Sequence, residues 1–332
     1  MHADGGNRPV RKLPAWLIPA IGYAMSIGCL VWVYRGFDWH GELARMRETD
    51  WRWISVAAVA DVVVYITQGY RWNILIRPVG GMPVMRSIQA IYIGLFANEV
   101  LPLRPGEVIR CYLQSRWSRI PISVSLSSAA VERLLDGVWL VVGFYLALVF
   151  MELPKALEYA AGLLAAVIGI ASVLLLLAAM HKERARNAVK ESRWSVMLHH
   201  LIDGLHNMAR SRTFLAALAL SLVYFVLQVL PVYALIRAYD LDLGVGAAAV
   251  VLIILRIGSI PPQAPGTVGS FQALTVAGLR LFGVDRTFAT GYATLLFIVV
   301  TVPLWVVGFI ALLATRMRLD DLHDSARSAT RH

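Results

Sequence analysis

Pro102-Leu103-Arg104-Pro105-Gly106-Glu107-Val108 and Pro262-Gln263-Ala264-Pro265-Gly266-Thr267-Val268 share one pattern, Pro-x-x-Pro-Gly-x-Val, and each copy interrupts a hydrophobic run. Proline lacks the amide hydrogen a helix interior needs and glycine leaves helical geometry at little cost, so each copy predicts a break between two helical limbs. The limbs that precede them, Ile88 to Leu101 and Ala247 to Ile260, fall short of the about 20 residues needed to cross a bilayer. A short apolar limb ending in a break fits the rising half of a re-entrant hairpin. Backbone that leaves helical geometry at membrane depth survives only where protein or a wet cavity surrounds it, so both breaks are expected beside a polar site near the bilayer midplane.

The rest of the chain agrees with a membrane setting. Its 332 residues are 58% hydrophobic and only 16% charged, with a mean hydropathy of +0.64, which excludes an ordinary soluble domain. Ala15 to Tyr34, Ile54 to Tyr70, Val138 to Phe150 with its polar lead-in, Ala156 to Met180, Phe214 to Ile236 and Phe288 to Ala314 read as full crossings. The predicted fold is an all-α polytopic membrane protein with about six transmembrane helices plus two re-entrant helical hairpins. The hairpins cover residues 87–115 and 247–282 of a membrane domain spanning 15–315, flanked by tails 1–14 and 316–332. Residues 181–212 form a cytoplasmic amphipathic segment, with Trp194, Leu198, Leu201 and Leu205 at helical spacing, either an interfacial helix or a plain connector.

A formal charge of +10 raises nucleic acid as a partner, but the basic residues sit at span ends rather than in one patch. Arg8, Arg11 and Lys12, then Arg71, Arg77 and Arg86, then Lys182 to Arg212, and finally Arg316 and Arg318 fall on one side if six spans cross and the hairpins do not. By the positive-inside rule that side, with both termini, is the cytoplasm. Three spans separate the two breaks, and an odd number of crossings inverts the second hairpin relative to the first. The hairpins therefore enter from opposite sides as an inverted repeat, their tips meeting inside. Cys29 and Cys111 have no disulfide geometry to share and read as small buried hydrophobes.

The stretch from Asn98 to Asp136 concentrates Glu99, Arg104, Glu107, Arg110, Glu132, Arg133 and Asp136 in or beside apolar sequence. Each unpaired charge near the bilayer centre costs roughly 2.5 to 3.5 kcal/mol on insertion scales, so these side chains pair internally or line a wet cavity. Arg104, Arg110 and Arg133 are suited to an anion site for a phosphate, with Glu107, Glu132 and Asp136 setting their geometry and offering carboxylates for proton coupling. The competing reading is a structural ion-pair network that locks hairpin to helix. In the second break Ala264 and Thr267 replace Arg104 and Glu107, and the backbone amides of Gly266, Thr267, Gly269 and Ser270 are the expected anion donors. Arg256 either adds a fourth cation or pairs with Asp61. No catalytic or metal-binding constellation, nucleotide motif or cofactor signature accompanies these residues, so an enzyme is not the leading reading.

Asn98, Leu101-Pro102, Arg104, Gly106-Glu107, Arg110, Glu132-Arg133 and Asp136, with Arg71-Trp72 and the late Pro265-Gly266-x-x-Gly269 element, resemble the signature of the lysylphosphatidylglycerol synthase transmembrane-region family of flippase-like proteins. The resemblance implies lipid translocation in the bacterial inner membrane, in the stand-alone form without a soluble synthase domain. It implies a membrane lipid as substrate and lipid-biosynthesis enzymes as partners. The leading expectation is a flippase for an anionic or phosphate-bearing lipid. The alternatives are a membrane enzyme acting on a lipid phosphate or glycosyl carrier, and a non-catalytic scaffold of a lipid-synthesis complex.

Overall fold

A computed structural model describes residues 17–101, 104–150, 155–180, 212–259 and 264–315. Both tails, the 181–211 segment and the first prolines of both breaks, Pro102 and Pro262, lie outside the described residues. Among those described the chain is built of helices and their connections, with no strand. It is an all-α polytopic membrane protein.

The order is α1 (Leu17–Tyr34), α2 (Trp39–Glu48), α3 (Trp51–Ile76), α4 (Val84–Val100), α5 (Gly106–Ser118), α6 (Ile122–Phe150), α7 (Lys155–Met180), α8 (Arg212–Ala238), α9 (Val245–Gly258), α10 (Ser270–Arg280) and α11 (Arg286–Ala314). Helix α2 was not expected: the sequence reads there as a charged loop. Asp38 supplies its cap by accepting from the backbone N–H groups of His40 and Gly41 at 3.1 Å, and Gly36 turns the chain with a left-handed φ of 75°. The turn sets α2 at 78° to α1. Asp50 caps α3 in the same way through Arg52 N–H at 2.9 Å.

Three helices, α3, α8 and α11, are long and apolar enough to cross a membrane among the described residues, and α1 with α2 brings the number to as many as four. Helix α6 is 29 residues long and carries Glu132, Arg133 and Asp136 in its first half, and α7 runs over 26 residues. Large apolar side chains stand exposed at helical spacing on the outward faces, as with Val302, Val306 and Ile310 on α11 and Val142, Leu146 and Val149 on α6. Hydrocarbon, not water, is the solvent such faces require.

The packing repeats. Helix α3 lies along α8 in the most extensive contact of the molecule, and every contact within α3–α6 has a counterpart within α8–α11. Thus α3 meets α4 as α8 meets α9; α4 folds on α5 as α9 folds on α10; α5 meets α6 as α10 meets α11. The cross-contacts follow the same rule, α4 on α11 matching α9 on α6. Two helical hairpins, α4–α5 and α9–α10, therefore occupy equivalent positions on either side of a central α3/α8 pair. Helix α1 stands outside this pattern and packs on α10, with no matching helix against α5 among the described residues.

The glycines of the first break explain why its limbs fold so closely. A Cβ at Gly94 would lie 2.6 Å from the carbonyl oxygen of Gly106, and one at Gly106 would overlap the carbonyl of Gly94. Two backbones pack directly against each other there, as small residues allow in membrane proteins. Asn98 closes the corner: its Oδ1 accepts from Gly106 N–H at 2.7 Å, satisfying a donor at the start of α5.

Candidate functional site

Six buried or half-buried charges from three helices form a closed ring. Arg71 of α3 contacts Asp136 at 2.5 Å and Glu132 at 3.2 Å; Arg110 of α5 contacts Glu132 at 3.1 Å and Glu107 at 2.6 Å. Arg133 of α6 completes it by contacting Asp136 at 3.3 Å and Glu107 as well. Each arginine thus has two carboxylates and each carboxylate two arginines, so the ring carries no net charge.

Local sequence places each member. Glu107 and Arg110 are three apart on α5, and Arg133 and Asp136 three apart on α6, so each pair shares a helical face. The inner members are fully enclosed. Arg71 and Glu132 have no exposed surface, and Gln68 Nε2 donates to Glu132 Oε1 at 2.7 Å while Ser221 Oγ accepts from Arg71 at 2.9 Å. Aromatic rings cover the two innermost cations, Tyr224 4.5 Å from the Arg71 guanidinium and Trp72 4.6 Å from that of Arg110. A buried charge survives when it is paired, and each inner member of this ring is, although Arg71 Nε and Nη2 and Arg110 Nη2 have no hydrogen-bond partner of good geometry among the described residues.

Beside the ring lies a cavity of about 730 Å³. Glu107 and Arg133 form the ring's edge on its wall, and both hairpin corners reach it, the first through Asn98, Glu99 and Arg104, the second through Ala264 to Thr267. The corners touch: a Cβ on Gly266 would stand 3.1 Å from Glu99 Oε2. Each hairpin also contributes a cation, Arg104 from the first and Arg256 from the second. Among the described residues neither is in an ion pair; Arg256 instead donates to Gln228 Oε1 of α8. Arg104 is held with a left-handed φ of 52°, a conformation that costs a bulky residue energy and is kept where surroundings impose it.

Several expectations are corrected here. Of the three expected cations, Arg104 and Arg133 line the cavity while Arg110 lies behind it, and Arg110 and Arg133 are each matched by two carboxylates in the ring. Glu107, Glu132 and Asp136 are likewise matched by arginines and are not free carboxylates. Of the four backbone amides expected as anion donors in the second break, those of Gly269 and Thr267 are already taken within the chain. Gly269 N–H donates to Gln272 Oε1 at 2.7 Å, Thr267 N–H donates to Ala264 O at 3.1 Å, and Ser270 Oγ donates to Thr267 O at 2.9 Å. Gly266 and Thr267 line the cavity, whereas Gly269 and Ser270 do not; Gly269 packs on the backbone of Ser26, whose hydroxyl donates to Val268 O. Arg256 and Asp61 both line the cavity without forming an ion pair.

Arg71 is the ring member that sequence reading left in the cytoplasm. The apolar run after it, with Trp72 and Ile74 to Ile76, continues α3 by nearly two turns and was the signal available.

The fold and the site together define a polytopic membrane protein with an internal charged cavity between paired helical hairpins. The family description "Lysylphosphatidylglycerol synthase TM region" matches residues 20–308, and the chain belongs to that family. A UPF0104 membrane protein of Methanothermobacter thermautotrophicus is 24% identical over 300 residues, covering 84% of this chain and 87% of the relative. A UPF0104 membrane protein of Methanocaldococcus jannaschii is 20% identical over 297 residues, covering 82% and 87%. A shorter likeness, 32% over 84 residues, links 25% of this chain to 14% of the glycosyltransferase AglD of Haloferax volcanii. No solved structure matches the chain.

Proposed function

We propose that this protein carries the headgroup of an anionic or phosphate-bearing lipid between the leaflets of a cytoplasmic membrane, while the lipid's chains remain in the bilayer. One observation carries the reading: in a molecule whose other intramembrane arginines are doubly matched by carboxylates, Arg104 and Arg256 face one cavity without ion pairs, one from each hairpin. Cations kept in a low-dielectric wall at such cost mark the path of an anion. In this reading the hairpins are re-entrant and enter from opposite faces, because the single helix α7 between the two packing repeats inverts the second. The termini lie in the cytoplasm by the charge asymmetry of the loops. A cavity of this size holds a headgroup and not acyl chains, so the chains pass along the protein's apolar exterior.

The test is reconstitution in phosphatidylcholine vesicles containing a fluorescent phosphatidylglycerol whose headgroup side is bleached by an impermeant reductant. Protein-containing vesicles are expected to expose the inner pool faster than empty ones, and Arg104→Ala and Arg256→Ala to remove the difference. Equal rates with and without protein, for this lipid and for a polyprenyl phosphate, would overturn the reading.

The likeness to a glycosyltransferase favours a second reading, a membrane enzyme acting on a glycosyl carrier. New product formed from a labelled polyprenyl phosphate by the purified protein would support it, and headgroup movement with unchanged chemistry would exclude it.

A further inference from the structure

The charge ring occupies three of the cavity region's carboxylates and leaves two, Asp61 on α3 and Glu99 on α4. Asp61 is 5% exposed, and its Oδ2 has no hydrogen-bond partner among the described residues. The groups that face it are committed elsewhere. Gln68 serves Glu132 with its amide and accepts from Tyr224 OH at 3.4 Å; Tyr92 OH donates to Val62 O at 3.0 Å; Gln228 Oε1 is taken by Arg256. Tyr65 stands edge-on to Tyr92, their rings 6.0 Å apart. The cation on the cavity wall whose charge bears on Asp61 is Arg256, although the two form no ion pair. Glu99 faces Arg104 in the same manner at the other hairpin, with Oε2 against Gly266.

Charge balance then constrains what enters. The ring is neutral, and where Asp61 and Glu99 are ionised they offset Arg256 and Arg104, so in that state the wall carries no net charge. A bound phosphodiester that engages Arg256 adds one negative charge and removes from Asp61 the field of its compensating cation. In surroundings where unit charges interact far more strongly than in water, that excess is unfavourable, and one proton on Asp61 cancels it.

Resting on the anion reading above, we propose that Asp61 is a proton-binding site which loads one proton each time the cavity takes up its anionic headgroup. The step balances simply. An O–H bond forms at Oδ2 with a proton taken from the acid form of the buffer on the side where the lipid enters, and it breaks when the anion departs and Arg256 again faces the carboxylate, releasing the proton to the solution on the side of exit. The headgroup and a proton therefore cross together, and a proton gradient sets the direction of lipid movement.

The experiment is calorimetric titration of the detergent-purified full chain with soluble dihexanoylphosphatidylglycerol, in two buffers of equal pH and different ionisation enthalpy. The difference in heat counts protons taken up. In the alkaline range, where Asp61 is ionised before the lipid binds, wild type is expected to take up about one proton per lipid with affinity falling up to about tenfold per pH unit, and the uptake disappears toward acid pH, where the carboxyl already holds its proton. Asp61→Asn, which keeps the shape of the side chain, is expected to bind at least as tightly with no uptake and a flat pH profile, while Glu99→Gln retains the uptake. Lipid binding by wild type without proton uptake in the alkaline range overturns the proposal and leaves the anion reading standing. Uptake that survives in Asp61→Asn, or that disappears in Glu99→Gln instead, also overturns it. Absence of binding, or binding unchanged in Arg104→Ala and Arg256→Ala, removes the anion reading and the proposal with it.

Discussion

Arg71 and Asp136 stand 2.5 Å apart although 65 residues separate them, and their contact closes a ring of six alternating charges across α3, α5 and α6. Closure makes every member depend on both neighbours. Removing one leaves a buried charge on each side only half compensated.

Arg71→Met is therefore expected to destabilise the protein by about 3 to 5 kcal/mol, the usual cost of breaking a buried pair from one side. Arg71→Met combined with Glu132→Gln should recover part of that loss, since the pair of changes restores neutrality. Thermal unfolding in detergent, followed by size-exclusion chromatography, reads both. A double variant no more stable than the worse single one would contradict the closed ring.

Arg104 and Arg256 should behave in the opposite way. Neither supports the fold through an ion pair, so Arg104→Ala and Arg256→Gln are expected to leave the unfolding temperature within a few degrees of wild type. Headgroup movement should nevertheless fall by at least about tenfold, the loss of a hydrogen bond to a charged group being worth about 1.5 to 3 kcal/mol.

Gly106→Ala tests the first hairpin. Its new methyl would overlap the Gly94 carbonyl, and the corner can accommodate it only by parting α4 from α5 and weakening the Asn98 cap. A loss of about 1 to 3 kcal/mol is expected, as for other overpacked sites. Gly28→Ala in α1, where a Cβ meets nothing within 4 Å, is the matched control and should be neutral.

The N-cap of α11 supplies a pH signature. The Thr287 backbone N–H donates to Asp285 Oδ1 at 2.8 Å and holds that exposed carboxyl below the usual carboxylate range. A depressed folded-state value means the cap stabilises above the ordinary carboxylate titration and stops doing so as pH falls through the lowered one. Asp285→Asn should therefore melt lower than wild type at neutral pH, with the difference closing in acid.

Much of this architecture was legible because proline and glycine punctuate helices for local steric reasons. The two Pro-Gly breaks marked both helical hairpins, the first running slightly beyond its expected bounds, over 84–118, and the second shifted by two residues, over 245–280. The charges from Glu107 to Asp136 announced an intramembrane network by their cost alone. What the sequence could not disclose was how they pair, since that depends on α3 delivering Arg71 between α5 and α6. Arg71 looked like an ordinary basic residue flanking a span, and only its helix running on past it moves it inside. Helix α2 was hidden for a similar reason: its charges, Glu42 with Arg45 at 2.8 Å among them, read as a loop until Tyr239 and the packing of Gly291 give Glu42 a buried seat. At the second break the chain takes positive φ at Gly266, Thr267 and Gly269, and two of the expected amide donors, Thr267 and Gly269, bond within the chain, which spacing along the chain does not encode.

Helix α1 braces the second hairpin through Ser26 and Val268, and nothing in the packing repeat does the same for the first. Two corners that are alike in shape are thus unlike in stiffness. One tip is clamped by an extra strut and the other is held by its own glycine seam, so if the pair rocks about the α3/α8 axis the first hairpin yields first. The asymmetry between two matching halves is thus set by a single helix that belongs to neither of them.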